Sequence, residues 1–219
     1  MNNEIDLRVD KLLENKAFAV LRLKDSTKAL PVVEALIKGG VKNIEVTLTT
    51  ENPYQVIEEV AKEFASEAII GVGSVLNKEM MISSIDAGAT YVVTPIFNPS
   101  LIDICHGYKF PIFTGAFSPT EINNAVVAGA DIVKVFPANI LGMEFFKAIL
   151  APMPDLKIMP TGGVSLTNAD QWFNVGACAV GVGGCLIDSK AIEENNFSKL
   201  TENAEQLMNT INSYFEKNI

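Results

Sequence analysis

The feature that most constrains the fold is a repeat of short apolar runs, separated by stretches with helical periodicity. Eight such runs begin near residues 17, 43, 68, 90, 110, 131, 157 and 177. A spacing of about 20 to 27 residues is typical of βα units, in which each helix returns the chain to the same end of a parallel sheet. Eight units within 219 residues predict an α/β fold, a compact (β/α)8 TIM barrel.

The remaining segments fit the same prediction. A leading helix is expected before residue 17, and a closing amphipathic helix over residues 196–215. No linker or low-complexity tract divides the chain, so residues 1–219 are expected to form a single domain. A doubly wound open sheet is the alternative fold, but no Gly-x-Gly-x-x-Gly turn follows the first run.

The sixth run, residues 131–139, contains Lys134 between two valines. This pattern favours a strand that is covered on both faces. Burial disfavours the charged form of an amine, and a neutral amine is a nucleophile that forms Schiff bases with carbonyl groups. The alternative is an edge-strand lysine that prevents aggregation or reaches water along its stem. A closed barrel has no edge to protect, which weakens that alternative.

The second run, residues 43–49, alternates between polar and apolar residues. Glu45, Thr47 and Thr49 are predicted to share one face of the strand. The outer face of a barrel strand meets helices, so the polar face is expected to point inward. A buried carboxylate is costly unless it is paired or functional. A surface strand with one wet face is the alternative.

Glycine pairs follow the last two runs, at residues 162–163 and 183–184, the first preceded by Thr161 and the second followed by Cys185. In a barrel, the loops after strands seven and eight commonly bind phosphate through backbone N–H groups. Such a site needs no positive side chain, which suits a chain with a net charge of −9. The alternative is that both pairs are only tight turns.

Composition excludes several classes of function. The acidic balance, with no offsetting Lys/Arg cluster, argues against a nucleic-acid partner. No apolar run reaches the roughly 18 residues that a membrane span needs, and the first residues do not resemble a signal peptide, so a cytoplasmic location is expected. Three cysteines and one histidine share no metal-like spacing, and neither a metal nor a cofactor is expected.

Seven motifs, in order along the chain, resemble one known family. They are Ala19-Val-Leu-Arg22, Gly40-Val-x-x-Ile-Glu-Val-Thr-Leu-x-Thr50, Gly71-x-Gly-Ser-Val-Leu-Asn77, Ser118-Pro-Thr-Glu121, Lys134-x-Phe-Pro137, Pro160-Thr-Gly-Gly-Val164 and Gly181-Val-Gly-Gly184. From about Ala19 to Ile187 the chain resembles the class I aldolases of 2-keto-3-deoxy-6-phosphogluconate (KDPG) and 4-hydroxy-2-oxoglutarate (KHG).

The resemblance implies a homotrimeric lyase that cleaves KDPG to pyruvate and glyceraldehyde 3-phosphate, and KHG to pyruvate and glyoxylate, without a metal. It implies that Lys134 forms the Schiff base and that Glu45 is the general acid/base, acting through a water. The implied substrate-binding residues are Arg22, Thr47, Thr49, Ser74, Pro95, Phe136 and Thr161. The implied phosphate-binding residues are Gly162, Gly163, Gly183, Gly184 and Cys185.

The chain departs from the family pattern at three places. Thr49 stands where many members have an arginine that binds the substrate carboxylate, and Arg22 is the expected substitute because a guanidinium suits a carboxylate. Cys185 replaces a serine, and Thr114 replaces a proline. The sequence therefore defines the type of reaction better than it defines the substrate. The galactonate epimer of KDPG and unphosphorylated KHG are alternative substrates, and a non-catalytic barrel that binds a phosphorylated metabolite is the alternative from another class.

Overall fold

The computed structural model describes residues 4–218, and its centre is a ring of eight parallel strands. The strands are β1 Ala17–Leu21, β2 Asn43–Thr47, β3 Ile69–Gly73, β4 Val92–Val93, β5 Ile112–Ala116, β6 Ile132–Val135, β7 Ile158–Pro160 and β8 Val180–Val182. The helices are α1 Glu4–Asn15, α2 Ala29–Lys38, α3 Pro53–Phe64, α4 Lys78–Asp86, α5 Pro99–Gly107, α6 Pro119–Val127, α7 Ala138–Leu150, α8 Ala169–Asn174, α9 Ser189–Glu193 and α10 Phe197–Lys217, with a 3-10 helix at Ser26–Lys28 before α2.

The strand order shows that the sheet closes on itself. Neighbouring strands follow the order β7-β6-β5-β4-β3-β2-β1-β8, so β1 pairs with both β2 and β8. A parallel bridge between Thr161 and Gly181 joins the ends of β7 and β8. The predicted (β/α)8 barrel is confirmed, and the open-sheet alternative is wrong.

Alternation along the strands divides the buried side chains into two layers. Outward residues such as Leu21 and Val133 pack with the helices in one large cluster. Inward residues form a second, interior cluster, in which the Phe18 ring contacts the rings of Tyr91 and Phe113 at centroid distances of 5.7 and 5.2 Å. The barrel is therefore filled at this level by side chains, as in other TIM barrels.

Helix α1 closes the N-terminal end of the barrel. Val9 and Leu12 are buried and belong to the interior cluster, and the side-chain amide of Asn43 on β2 donates to the carbonyl of Leu12 at 2.8 Å. The predicted leading helix is confirmed, and so is the closing helix, observed as α10. No helix within residues 4–218 is long and apolar enough to cross a bilayer.

Several strands, β2 and β6 among them, are shorter than the sequence predicted. The sixth run extends as a strand only to Val135 and not to residue 139, because α7 begins at Ala138. The second ends at Thr47, where the Thr50 N–H donates to the Thr47 carbonyl and turns the chain. Thr49 therefore lies in an exposed turn beyond β2, and its predicted place on the inward face of that strand is wrong.

Candidate active site

Lys134 and Glu45 meet inside the barrel. They come from β6 and β2, which are not neighbours, and Nζ of Lys134 donates to Oε1 of Glu45 at 3.3 Å. Their side chains are only 8% and 1% exposed. The predicted inward direction of Glu45 is confirmed, and Lys134 lies on the inner side of the barrel with it. A lysine on an unprotected sheet edge and a glutamate on a wet strand face are both excluded.

The glycines of β3 make room for this pair. A Cβ at Gly73 would lie 2.0 Å from Oε1 of Glu45, and one at Gly71 would lie 2.3 Å from the ring of Tyr91. Register across strands gives the reason for these glycines, because Gly71 pairs with Glu45 and Gly73 with Thr47.

The pair has few other hydrogen bonds. Within residues 4–218, Oε2 of Glu45 is buried and has no partner. A buried ion pair without further hydrogen bonds is poor at stabilising a fold, and such an arrangement is common where proton transfer is needed. One proton can be held as ammonium with carboxylate or as amine with carboxylic acid, so the pair can exchange it over 3.3 Å.

A cavity of about 570 Å³ opens at the C-terminal end of the barrel. Its lining includes eight of the predicted site residues: Arg22, Phe136, Thr161, Gly162, Gly163, Gly183, Gly184 and Cys185. The ring centroid of Phe136 lies 5.8 Å from Nζ of Lys134, so this ring connects the cavity with the buried lysine. The hydroxyl of Thr161 is buried and has no hydrogen-bond partner within residues 4–218.

The two glycine loops line this cavity. Gly162 and Gly163 have positive φ values of 91° and 78°, and a Cβ on either would lie within 3.0 Å of Asn139. In the described part of the chain, the N–H groups of Gly162, Gly163 and Gly184 donate to no backbone carbonyl. The thiol of Cys185 donates to the carbonyl of Val164 at 3.3 Å and so links the two loops.

The other predicted residues lie outside the lining of this cavity. The Thr47 hydroxyl donates to the Leu21 carbonyl at 3.0 Å and lies 2.9 Å from the hydroxyl of Thr49. Ser74 follows β3 with a φ of 65°. The backbone of Pro95 passes so close to β5 that a Cβ at Gly115 would lie 2.3 Å from its carbonyl oxygen. Among the described residues, no three His, Cys, Asp or Glu side chains converge as a metal site.

Comparison with known proteins decides the family. The family model for KDPG and KHG aldolase matches residues 9–203. The chain belongs to the KDPG and KHG aldolase family. It is 31% identical over 207 residues, 93% of this chain and 96% of the relative, to the 2-dehydro-3-deoxy-phosphogluconate aldolase of Haemophilus influenzae.

Other members of the aldolase family agree with the fold and the chemistry. The 2-dehydro-3-deoxy-6-phosphogalactonate aldolase of Escherichia coli is 31% identical over 169 residues, 77% of this chain and 82% of its own. The KDPG aldolase of Legionella pneumophila, solved with pyruvate captured as a covalent carbinolamine, aligns with a TM-score of 0.84 at 27% identity over 94% of this chain and 98% of its own. The chain is therefore a lyase of the aldolase type, and the non-catalytic alternative finds no support.

Proposed function

We propose that the protein cleaves KDPG to pyruvate and glyceraldehyde 3-phosphate through a Schiff base on Lys134. The observation that carries this proposal is the buried pair of Lys134 and Glu45 beneath a cavity lined by two glycine loops. The similarity to the Haemophilus influenzae relative supports the choice of substrate.

The first stage forms the Schiff base. The amine of Lys134 attacks the C2 ketone and gives a carbinolamine, which loses water to form an iminium. Glu45, 3.3 Å from the amine, accepts the proton that the nitrogen loses and returns it to the departing hydroxyl. Both groups are shielded from bulk water, which strengthens their electrostatic interaction with the reacting atoms.

The second stage breaks the C3–C4 bond. Glu45 removes the proton of the C4 hydroxyl through a water, and the bonding electrons move into the iminium and leave an enamine. Glyceraldehyde 3-phosphate departs, the enamine is reprotonated at C3, and water hydrolyses the iminium to pyruvate and free Lys134. Proton transfer of this kind contributes about 10² to 10⁴ in rate.

We propose that the substrate binds along the wall of the cavity. The glycine loops at residues 162–163 and 183–184 would hold the phosphate through their N–H groups, with Cys185 beside them. Arg22 is exposed at the mouth and lines the cavity, and it would bind the carboxylate. Thr161 and Phe136 would contact the pyruvate half. Roles for Thr47, Thr49, Ser74 and Pro95 stay predictions.

Borohydride reduction in the presence of pyruvate tests the mechanism. Peptide mapping by mass spectrometry should find the adduct on Lys134, and Lys134→Arg should abolish it, while Lys147→Arg, at an exposed lysine of α7, should not. Glu45→Gln should still be labelled at Lys134 but should cleave substrate about 100-fold more slowly or worse. An adduct on another lysine, or none in the unmodified protein, would refute the mechanism.

The galactonate epimer of KDPG is the second candidate substrate, and the Escherichia coli relative favours it. Comparison of kcat/KM for KDPG, its galactonate epimer and KHG separates the three. The highest value is expected for KDPG. A strong preference for unphosphorylated KHG would contradict the phosphate site at the glycine loops.

We also propose that the protein is a homotrimer. Exposed apolar side chains follow successive strands on the side of the mouth, at Leu76, Ile96, Phe117 and Ile140. Exposed apolar patches of this kind are typical of subunit interfaces. The family resemblance favours three copies, and the cytoplasm stays the expected location.

A further inference from the structure

Tyr91 is a buried polar residue that the proposed reaction leaves without a role. It precedes β4, its side chain is fully buried, and its hydroxyl has no hydrogen-bond partner within residues 4–218. Phenylalanine would fill the same space, and a buried hydroxyl without a partner destabilises a fold. Such a group in a native interior therefore requires an explanation.

The ring of Tyr91 lies across β3 and extends toward β2. Its sides contact Phe18 and Phe113, with centroid distances of 5.7 and 5.6 Å. A Cβ at Gly71 would lie 2.4 Å from Cζ, the ring carbon that bears the hydroxyl. Because Gly71 pairs with Glu45, the hydroxyl is directed toward the strand that supplies the carboxylate.

The carboxylate of Glu45 occupies the next space along the same strand. It fills the position of a Cβ at Gly73, two residues after Gly71 and on the same face of β3. Its Oε1 faces Lys134, whereas its Oε2 is buried and has no partner within residues 4–218. A donor and an acceptor, both buried and both unpaired, thus lie in neighbouring spaces of the barrel interior.

We propose that the Tyr91 hydroxyl donates to Oε2 of Glu45, directly or through one water, and positions the carboxylate while Lys134 is bonded to substrate. An ammonium offers three N–H donors, but an iminium nitrogen keeps only one. The hydrogen bonding between Lys134 and Glu45 is therefore weaker during turnover, and the tyrosine hydroxyl keeps the Glu45 carboxylate in place for proton transfer. Tyr91 is thus a positioning residue, and the inference rests on the proposed function.

The surroundings of Glu45 support a donor role for Tyr91. Burial, and secondarily the charge of Glu45, raises the pKa of Tyr91 well above its usual range. The phenol therefore keeps its proton and donates rather than accepts. The strands beside β2 place Val20 and two glycines next to Glu45, and Lys134 and Tyr91 are titratable groups that interact with its carboxylate.

Tyr91→Phe tests the proposal because it removes only the hydroxyl. We expect kcat to fall about tenfold, the value of one hydrogen bond to a charged group, with KM changed by less than about twofold. The acidic limb of the kcat–pH profile should move to higher pH, since a donated hydrogen bond favours the ionised carboxylate. The melting temperature of the substrate-free protein should not fall, because in that state the hydroxyl has no hydrogen-bond partner within residues 4–218.

Thr114→Val is the matched control. It removes another buried, unpartnered hydroxyl, but one on the outward face of β5 between Ile112 and Ala116. We expect its kcat and pH profile to match those of the unmodified protein. A Tyr91→Phe variant with unchanged kinetics would overturn the proposal. So would a variant whose kcat falls while the acidic limb of its pH profile stays in place, and so would an equal loss of kcat in Thr114→Val. Pyruvate trapping on the unmodified protein is run in parallel, and its failure would refute the Schiff-base mechanism instead.

Discussion

Glu45 can lie inside the barrel only because β3 presents no side chain opposite its carboxylate. The space that an alanine at position 73 would need is occupied by Oε1 and Cδ of Glu45. The residue that defines the site is thus a glycine, although it takes no part in the chemistry. Gly181 has the same relation to Thr161, since a Cβ there would lie 2.4 Å from the threonine hydroxyl.

We therefore expect Gly73→Ala to displace Glu45 and to lower kcat by between about 10- and 100-fold, because a shift of about 1 Å is enough for such a loss. The φ of Gly73 is not positive, so backbone strain would not be the cause. A coupled assay of pyruvate release measures the effect. Gly107→Ala is the control, since nothing lies within 4 Å of its new Cβ and its φ is also not positive. Equal activity of both variants would contradict this account.

At this scale the sequence predicted Lys134 and Glu45 as candidate site residues, but not what makes room for them. Lys134 could be predicted because it is a charged residue within an apolar strand, and Glu45 because it lies on the polar face of an alternating one. The role of Gly73 could not, because it depends on which residue of β2 lies beside which residue of β3. That register is set by the whole ring of strands and has no local pattern in the sequence. Thr49 was misplaced for a related reason, as alternation does not show where a strand ends.

Among the elements, α6 begins with a complete capping box. The Glu121 N–H donates to the Ser118 hydroxyl at 3.3 Å, and the Glu121 carboxylate accepts from the Ser118 and Phe117 N–H groups at 2.8 Å. The hydrogen bonds that the carboxylate accepts, of which the one from the Phe117 N–H has the largest effect, lower the pKa of Glu121 from its ordinary value of 4.5. Fixed spacing along the chain makes such a feature readable from sequence.

Glu121→Gln should lower the melting temperature at pH 7. A lowered pKa means that the carboxylate stabilises the fold above its unfolded-state pKa, and that this contribution is lost as the pH falls through the lower, folded-state value. The difference from the unmodified protein should therefore shrink below about pH 4. Ser118→Ala is the comparison, because it removes a hydroxyl that does not titrate and should lower the melting temperature at both pH values. The prediction would be contradicted if the difference in melting temperature between Glu121→Gln and the unmodified protein did not change with pH.

Helix α1 contributes to the barrel through a single face. Leu12 is buried in the interior cluster, whereas Leu7 on the same helix is 60% exposed. Leu12→Ala should cost about 2 to 5 kcal/mol in the free energy of unfolding, as buried leucines generally do. Leu7→Ala should change it by less than about 0.5 kcal/mol. Urea denaturation measures both, and similar values for the two variants would show that α1 does not help to hold the barrel interior.

At the scale of the whole molecule, the repeat of eight strand-like runs was enough to predict the barrel. Strand order follows chain order, so local spacing determines the architecture. Strand lengths were less predictable, since β4 and β8 contain only two and three residues. That residues 1–219 form one domain stays a prediction, which a single two-state unfolding transition would support.

The proposed trimer also belongs to the scale of the whole molecule, and Ile140 offers a test. Its side chain is 68% exposed at the start of α7, beside the mouth of the barrel. Sedimentation of the unmodified protein should give about three times the chain mass of 23.7 kDa. Ile140→Glu should lower the observed mass, because a charge at an apolar interface is costly. Lys147→Glu, a charge change at an exposed site on the same helix, should not. A monomeric unmodified protein would refute the proposed assembly.

The closure of one end of the barrel by α1 has a consequence for the order of events. Substrate and both products must use the same opening, at the opposite end. In the proposed reaction the pyruvate fragment stays bonded to Lys134 at the bottom of that passage, so the phosphorylated aldehyde has to leave first. Pyruvate should then inhibit competitively with respect to the sugar acid, whereas the aldehyde should inhibit noncompetitively. The covalent bond to Lys134 thus fixes the sequence of release in the proposed reaction, and the single opening makes both products leave by the same route.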